Sequence, residues 1–304
     1  MRVSTTQQHR LSVNAMLEQQ AKLTQTQLKL STGKKYLTPS ENPVAATGLI
    51  NLQENIQRHQ QYQVNIDAAR QRLELQESSL DNATDTIQRI RELTVQALND
   101  SNNPENRKQT ALEIAALNEH LMGLANTRNA NGEYLFSGLK SNVPAFSVSA
   151  GEYAYDGEPE SWRQIAIGPE RTVTDADPGN RVFGDIDTSG FLVPGSISNV
   201  FQAIARLSQD LQNNSPDRNS LTDLDEALKR FEITRASTGA RLHALDSQEN
   251  LNADYILQNQ STASDMGDLD YADALSRFAL QQTSLQAAQQ AFTKVQNLSL
   301  FNYL

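Results

Sequence analysis

The side chains best suited to chemistry in this sequence are carboxylates. Asp265, Asp268, Asp270 and Asp273 crowd one short stretch, SDMGDLDYAD, and their oxygens are the kind a hard divalent cation takes. The spacing fails that chemistry, because a calcium loop needs ligands at alternate positions, a glycine at the sixth and a bidentate glutamate at the twelfth. The same acids suit a break between helices, where carboxylates favour the N-terminal dipole of the helix that follows. Asp175 with Asp177, and Asp185 with Asp187, read as solvated loop acids. Trp162, the single tryptophan, reads as the anchor of a local core, with the stacking of a glycan or another ligand as the functional alternative. His9, His59, His120 and His243 are each isolated, and none forms an imidazole pair at helical spacing. With no cysteine there is no disulfide, thiolate metal site or cysteine nucleophile. No glycine-rich phosphate loop, HExxH or GxSxG motif occurs. The sequence therefore predicts no enzyme, no cofactor and no metal.

Composition narrows the partners. Acids exceed bases 36 to 26 for a net charge of −10, the wrong sign for neutralising phosphates, so no nucleic acid is expected. No run approaches the roughly 18 apolar residues of a membrane span, so no membrane insertion is expected. Hydrophobic residues are 38% and aromatics 6% of the 304, too few for one thick core. Glutamine (29) and asparagine (25) are abundant, and amides hydrogen-bond without charge, which suits surfaces that pack against like surfaces. The opening stretch, Met1 to Arg10, has no apolar core of the kind a secretory signal carries.

The elements follow from punctuation and periodicity. Residues 132–195 hold nine of the fourteen glycines and five of the nine prolines, an insert between two helix-forming arms. In the first arm Ile66, Ala69, Leu73, Gln76, Leu80, Ala83, Ile87, Ile90, Thr94 and Ala97 alternate steps of three and four. Leu49, Leu52, Ile56, His59 and Gln63 extend the pattern upstream, with one short step at Ile66. This predicts a helix from Pro43 to about Asn99, on the order of 85 Å long. Asn103 and Pro104 form the cap and first turn of a second helix carrying Ile114, Leu117, Leu121 and Leu124. In the insert, VPAFSVSAGEYAYDG and WRQIAIG alternate as strands, and Val182 and Phe183 anchor the rest. Helices resume at Ser196, with Ile197, Val200, Ile204, Leu207 and Leu211 on one stripe. A long helix follows over about 221–259, carrying Leu221, Leu224, Leu228, Phe231, Arg235, Thr238, Leu242 and Leu245, its seam weakened by Glu249 and Asn252.

Two terminal helices are left over. Met16, Leu23 and Leu30 stand at strict sevens beside Leu17 and Leu28, and Leu275, Phe278, Leu285, Ala288, Phe292 and Val295 line the last helix, about 270–300. Such narrow stripes find cover only by pairing with each other or with other chains, so loosely docked ends are expected. Residues 1–35 carry six bases against Glu18, for +5, residues 274–304 carry +2, and −17 remains for 36–273. Sparse charge lowers the desolvation cost of burying the ends. From the surplus stripes, the side chains expected to pack between subunits are Met16, Leu23, Leu30, Leu285, Phe292 and Val295, with Leu298, Leu300, Phe301 and Leu304 of the tail.

At both ends the residues carry more than periodicity. LKLSTGKKYLTPSENPVAATGLI (28–50) resembles the N-terminal signature of the bacterial flagellin superfamily, and DALSRFALQQTSLQAAQQAFTKVQNLSLFNYL (273–304) is similar to its C-terminal helix. NANGEYLFSG (129–138) resembles a turn of the superfamily's hook–filament junction members. The resemblance covers roughly the outer two-thirds of the chain and fades inside 132–195. It implies a mainly α, elongated antiparallel helical rod with a small β-rich inserted domain. Residues 1–42 and 263–304 would be the assembly helices, 43–131 and 196–262 the rod, and 132–195 the outer domain. It also implies a structural adaptor of the bacterial flagellum, extracellular after type III export. The implied partners are the first hook–filament junction protein (hook-associated protein 1), flagellin, further copies of the chain in a ring and a flagellar export chaperone. The alternative that the resemblance leaves is flagellin itself, the filament subunit.

Overall fold

The computed structural model describes residues 2–99, 102–159, 161–184 and 199–297. Its elements in chain order are α1 (Arg2–Thr32), α2 (Pro43–Ala97), α3 (Pro104–Ala125), β1 (Phe146–Ser149), β2 (Glu152–Tyr155), β3 (Gln164–Gly168), β4 (Arg171–Thr174), α4 (Gly179–Phe183), α5 (Val200–Gln212), α6 (Asn219–Gly267) and α7 (Tyr271–Asn297). They fall into two units, one formed by residues up to Arg58 and from Asp254 onward, the other by His59–Ala253. The mainly α class with paired terminal helices and a small β insert is the one observed.

The long helices begin where asparagine meets proline. Asn42 Oδ1 accepts from the Ala45 amide at 3.1 Å, and Asn103 Oδ1 accepts from Asn106 at 2.8 Å. Each cap satisfies a donor the first turn leaves open, and the proline that follows has no amide to satisfy. From there α2 runs 55 residues, about 80 Å. All ten positions of its three-four pattern between Ile66 and Ala97 are 0% exposed. From Leu80 onward the apolar ones share a core with Ile114, Leu121 and Ala125 of α3, Phe201, Ile204 and Leu211 of α5, and Leu224, Ala227 and Phe231 of α6, while Ile66, Ala69 and Leu73 cluster with Ile167, Val173 and Leu245. Helix α5 starts at Val200, where Asn199 Oδ1 caps it by accepting from Gln202; Ser196 and Ile197 lie outside the described residues. On α6 the fully buried step is Ala227, while Leu228 packs against the same core partly buried.

The insert contributes two antiparallel hairpins, β1–β2 and β3–β4. Ala150 and Gly151 close the first with φ of 52° and 84°, the left-handed pair a two-residue hairpin requires. Phe136, Phe146 and Phe183 then meet Phe201 and Phe231 from the helices, with ring centroids 4.8–5.8 Å apart. Val182 and Phe183 are buried as expected, but on the short helix α4. Trp162 does not anchor this core. It is 37% exposed, with the Arg181 guanidinium 4.8 Å from its ring.

Asp175 and Asp177 are also not solvated. Asp175 is buried, with Arg72 Nε 2.8 Å from Oδ2, an ion pair out of line for a hydrogen bond, while Arg163 Nε donates to the same oxygen at 2.7 Å. Arg72 Nη1 donates to Glu133 at 2.8 Å, and burial pulls the Arg72 pKa below its ordinary value. Asp177 accepts from Gln76 Nε2 (2.8 Å) and Arg241 Nη2 (2.7 Å), and returns its own amide to Gln76 Oε1. Asp185 and Asp187 lie outside the described residues. The seam of α6 likewise continues past Leu245 through Gln248 and Asn252, both buried. There Asn252 Oδ1 lies 3.1 Å from His59 Nδ1, and its Nδ2 donates to the Ile167 carbonyl of β3 at 2.9 Å. Polar residues hold that seam together, and Glu249 stands outside it, paired with Arg70.

Replacing Asp175 by Ala leaves Arg72, only 7% exposed in its side chain, short of one counter-charge. Chemical denaturation of D175A is expected to show a loss of about 3 kcal/mol. The double variant R72M/D175L should recover most of it, because no buried charge remains.

Candidate assembly surface

The terminal unit is built on a different economy. Helices α1 and α7 run antiparallel: His9 and Phe292 meet with ring centroids 5.0 Å apart, while at the other end Leu269 N donates to Gly33 O at 2.9 Å. Lys35 N donates to Gly267 O at 2.8 Å, and Lys34 and Asp268 bridge as antiparallel partners. Gly33 sits at φ +67°, and a Cβ there would come 2.9 Å from the Tyr271 hydroxyl, so the turn requires glycine. Asp270 caps α7 by accepting from Ala272 N (2.9 Å) and Asp273 N (3.3 Å). Asp268 accepts from Ser264, and Asp273 pairs with Arg277 at 2.8 Å. The acidic stretch thus ends one helix and starts the next. Lys29 donates to Glu41 at 2.8 Å and holds that carboxyl below its usual range.

The seam between α1 and α7 is thin. The half-buried positions of α1 are Ser12, Val13, Met16, Gln19, Leu23, Thr26, Lys29 and Leu30. Those of α7 are Phe278, Gln281, Leu285, Ala288 and Phe292, after the buried Ala274. Helix α7 supplies one large apolar residue per seven and α1 adds only Val13 to that rate, little more than half of what a two-stranded coiled coil places at its a and d positions. Gln281 Oε1 is buried without a partner, and beside Met16 and Phe292 a cavity of about 410 Å³ opens among Ser12, Ala15 and Ala288. Among the described residues of this unit, the only buried hydrophobic side chains are Ala45, Ile56 and Ala274.

Met16, Leu23, Leu30, Leu285 and Phe292 therefore all lie on the α1–α7 seam, half-buried. Val295 belongs to α7, but its side chain, with Leu298, Leu300, Phe301 and Leu304, lies outside the described residues. Sequence reasoning missed a second set facing outward. Leu17 (59% exposed) and Leu28 stand three turns apart on α1, with Leu11 also open, and Leu275 and Leu280 (69%) stand open on α7. Leu275 was expected on the apolar stripe, but Ala274 takes that place. The signal was a leucine surplus that one stripe could not absorb. Among the described residues no set of three or more His, Cys, Asp or Glu side chains is placed to hold a metal, and no helix is long and apolar enough to cross a membrane.

The sequence matches the bacterial flagellin N-terminal helical region over residues 3–141 and the bacterial flagellin C-terminal helical region over residues 221–304. It is 31% identical to flagellar hook-associated protein 3 of Escherichia coli (strain K12), and 29% identical to that of Salmonella typhimurium, covering 99% of this chain and of each relative. A solved structure of the flagellar junction protein FlgL from Legionella pneumophila superposes with a TM-score of 0.57 at 21% identity, covering 73% of this chain and all of that one. At that identity the superposition speaks for the fold.

The two units should respond oppositely to truncation. Ile87→Ala, in the saturated seam, is expected to cost about 2–5 kcal/mol. Leu17→Ala and Leu280→Ala should stay within about 0.5 kcal/mol of the parent chain. Urea titration of the monomer checks both.

Proposed function

This chain belongs to the bacterial flagellin family, and from that membership we propose that it is the adaptor joining the flagellar hook to the filament. The observation that carries the reading is the terminal unit, whose helices bury almost no hydrophobic side chain within one chain. A helix pair with half a seam is marginal in water, and its exposed leucines gain most from a neighbour. The full-length likeness to hook-associated protein 3 favours the junction over the filament subunit.

In this reading copies of the chain form a ring, with hook-associated protein 1 on one side and flagellin on the other. The contacts are Met16, Leu23, Leu30, Leu285, Phe292 and Val295, the tail residues Leu298, Leu300, Phe301 and Leu304, and the outward Leu17, Leu28 and Leu280. Neighbouring helices complete the α1–α7 seam by inserting side chains beside it, so torque passes through many small apolar contacts and not one strong site. Residues 1–42 and 263–304 serve assembly, 43–131 and 196–262 carry load, and 132–195 faces outward. The protein works by packing and not by turnover. It leaves the cell by type III export with an export chaperone covering its ends, and the chain has no disulfide to reduce before unfolded transit.

Phe292→Asp puts a charge on the half-built seam. The His59–Ala253 unit should melt as in the parent protein, while cells carrying the variant release flagellin into the medium and lack filaments by electron microscopy. Normal filaments would refute the contact assignment. Purified protein mixed with flagellin should cap or seed filaments without extending them; long filaments of this chain alone would mark it as a filament subunit.

A further inference from the structure

The chain's one tryptophan stands at a cavity that the assembly role leaves unused. Trp162, Arg181, Asn180, Arg230, Asp177 and Arg241 are among the residues around a space of about 610 Å³ in the His59–Ala253 unit, within the roughly 300–1,000 Å³ usual for small-ligand sites. In a chain of net charge −10, this lining holds three arginines against one acid. Each arginine is already positioned. Arg241 Nη2 donates to Asp177 Oδ1 at 2.7 Å and to Ser237 Oγ at 3.1 Å. Arg230 Nη1 donates to the Gly184 carbonyl at 2.8 Å, with Glu226 3.6 Å from its Nε. Arg181 lies over one side of the Trp162 ring.

Two groups are left over. Arg241 Nη1, a donor, and Asn180 Oδ1, an acceptor, are both buried with no hydrogen-bond partner. A buried polar atom without a partner costs about 1–3 kcal/mol, and both of these atoms, of opposite character, belong to side chains that line the same cavity. A guanidinium donor calls for a carboxylate, the amide oxygen calls for a hydroxyl, and a part-exposed indole offers a flat apolar face beside them.

We propose that this cavity binds a carboxylated sugar of the uronic acid type. Its carboxylate accepts from Arg241 Nη1, a ring hydroxyl donates to Asn180 Oδ1, and the C–H face of the pyranose rests on Trp162. Arg181 adds positive potential that favours the anionic sugar over a neutral one. A neutral hexose leaves Arg241 unpaired, and a bare carboxylate such as acetate leaves Asn180 and Trp162 unused, so neither reproduces the full set of contacts.

Because Trp162 is the only tryptophan, fluorescence of the full chain excited on the red edge, where the eight tyrosines absorb little, reports this site alone. Titration with a glucuronate-terminated disaccharide is expected to give a saturable change. The matching glucose disaccharide, or acetate at equal ionic strength, should need at least about ten times the concentration, the difference one charge-assisted hydrogen bond makes. Arg241→Gln should weaken the response at least about tenfold. Asn180→Ala, which removes an atom with no partner in the protein and so keeps the fold, should weaken it several-fold while the ligand-free melting temperature does not fall. No saturable change with glucuronate, an equal response to acetate, or undiminished binding by Asn180→Ala would each overturn the assignment. If Arg241→Gln fails to fold, the Asn180→Ala comparison decides alone.

Discussion

The structure depends on how one helical repeat is filled. Over Ile66 to Ala97 the three-four stripe of α2 is closed at every position, because α3, α5, α6 and the insert each bring an apolar face to it. In α1 and α7 the same repeat alternates large apolar residues with Ser12, Gln19, Thr26 and Gln281. Burial of apolar area is the main stabilising term in folding, so one unit folds on its own account and the other is left incomplete. That inequality is the physical basis of an assembly protein. A terminal seam filled like α2 would have no reason to seek a neighbour.

Polar side chains fix what the apolar seam cannot specify. Arg72 and Gln76 reach from α2 to Glu133, Asp175 and Asp177, and so set the insert's position against the helices. Asn252 and Asn65 donate to consecutive carbonyls of β3, Ile167 and Ala166, and satisfy strand edges that would otherwise be open. Here two of the chain's many amides dock a strand edge with neutral donors. NANGEYLFSG acquires a residue-by-residue meaning in the same way. Asn129 Oδ1 accepts from two amides of its own turn and its Nδ2 holds Glu133, which receives Arg72. Tyr134 lies under Arg128, Leu135 and Phe136 enter the core, and Gly138 sits at φ +64° with the Glu158 carbonyl 2.7 Å from where a Cβ would be.

Much of this was legible in the residues. The α2 stripe could be read position by position, because periodicity is local and its burial is complete. The Asn103–Pro104 start and the β1–β2 hairpin were legible for the same reason: caps and two-residue turns are decided within a few residues. Asp175 and Asp177 were misread because Arg72 lies 103 residues before the first and Arg241 lies 64 residues after the second, and no spacing rule connects them. Trp162 was misread because size alone argues for burial, while the aromatic core was already filled by five phenylalanines. The α1 and α7 stripes were visible, but whether Leu17, Leu28 and Leu280 face in or out depends on which partner helix fills the seam, and that choice is tertiary.

Amide hydrogen exchange on the monomer and on the assembled junction tests the incomplete seam most directly. In the monomer, α1 and α7 should exchange orders of magnitude faster than the Ile66–Ala97 stretch of α2, which should open only with global unfolding. On assembly the protection of α1 and α7 should rise while that of α2 stays unchanged. Terminal helices as protected in the lone chain as α2, with nothing gained on assembly, would contradict the account.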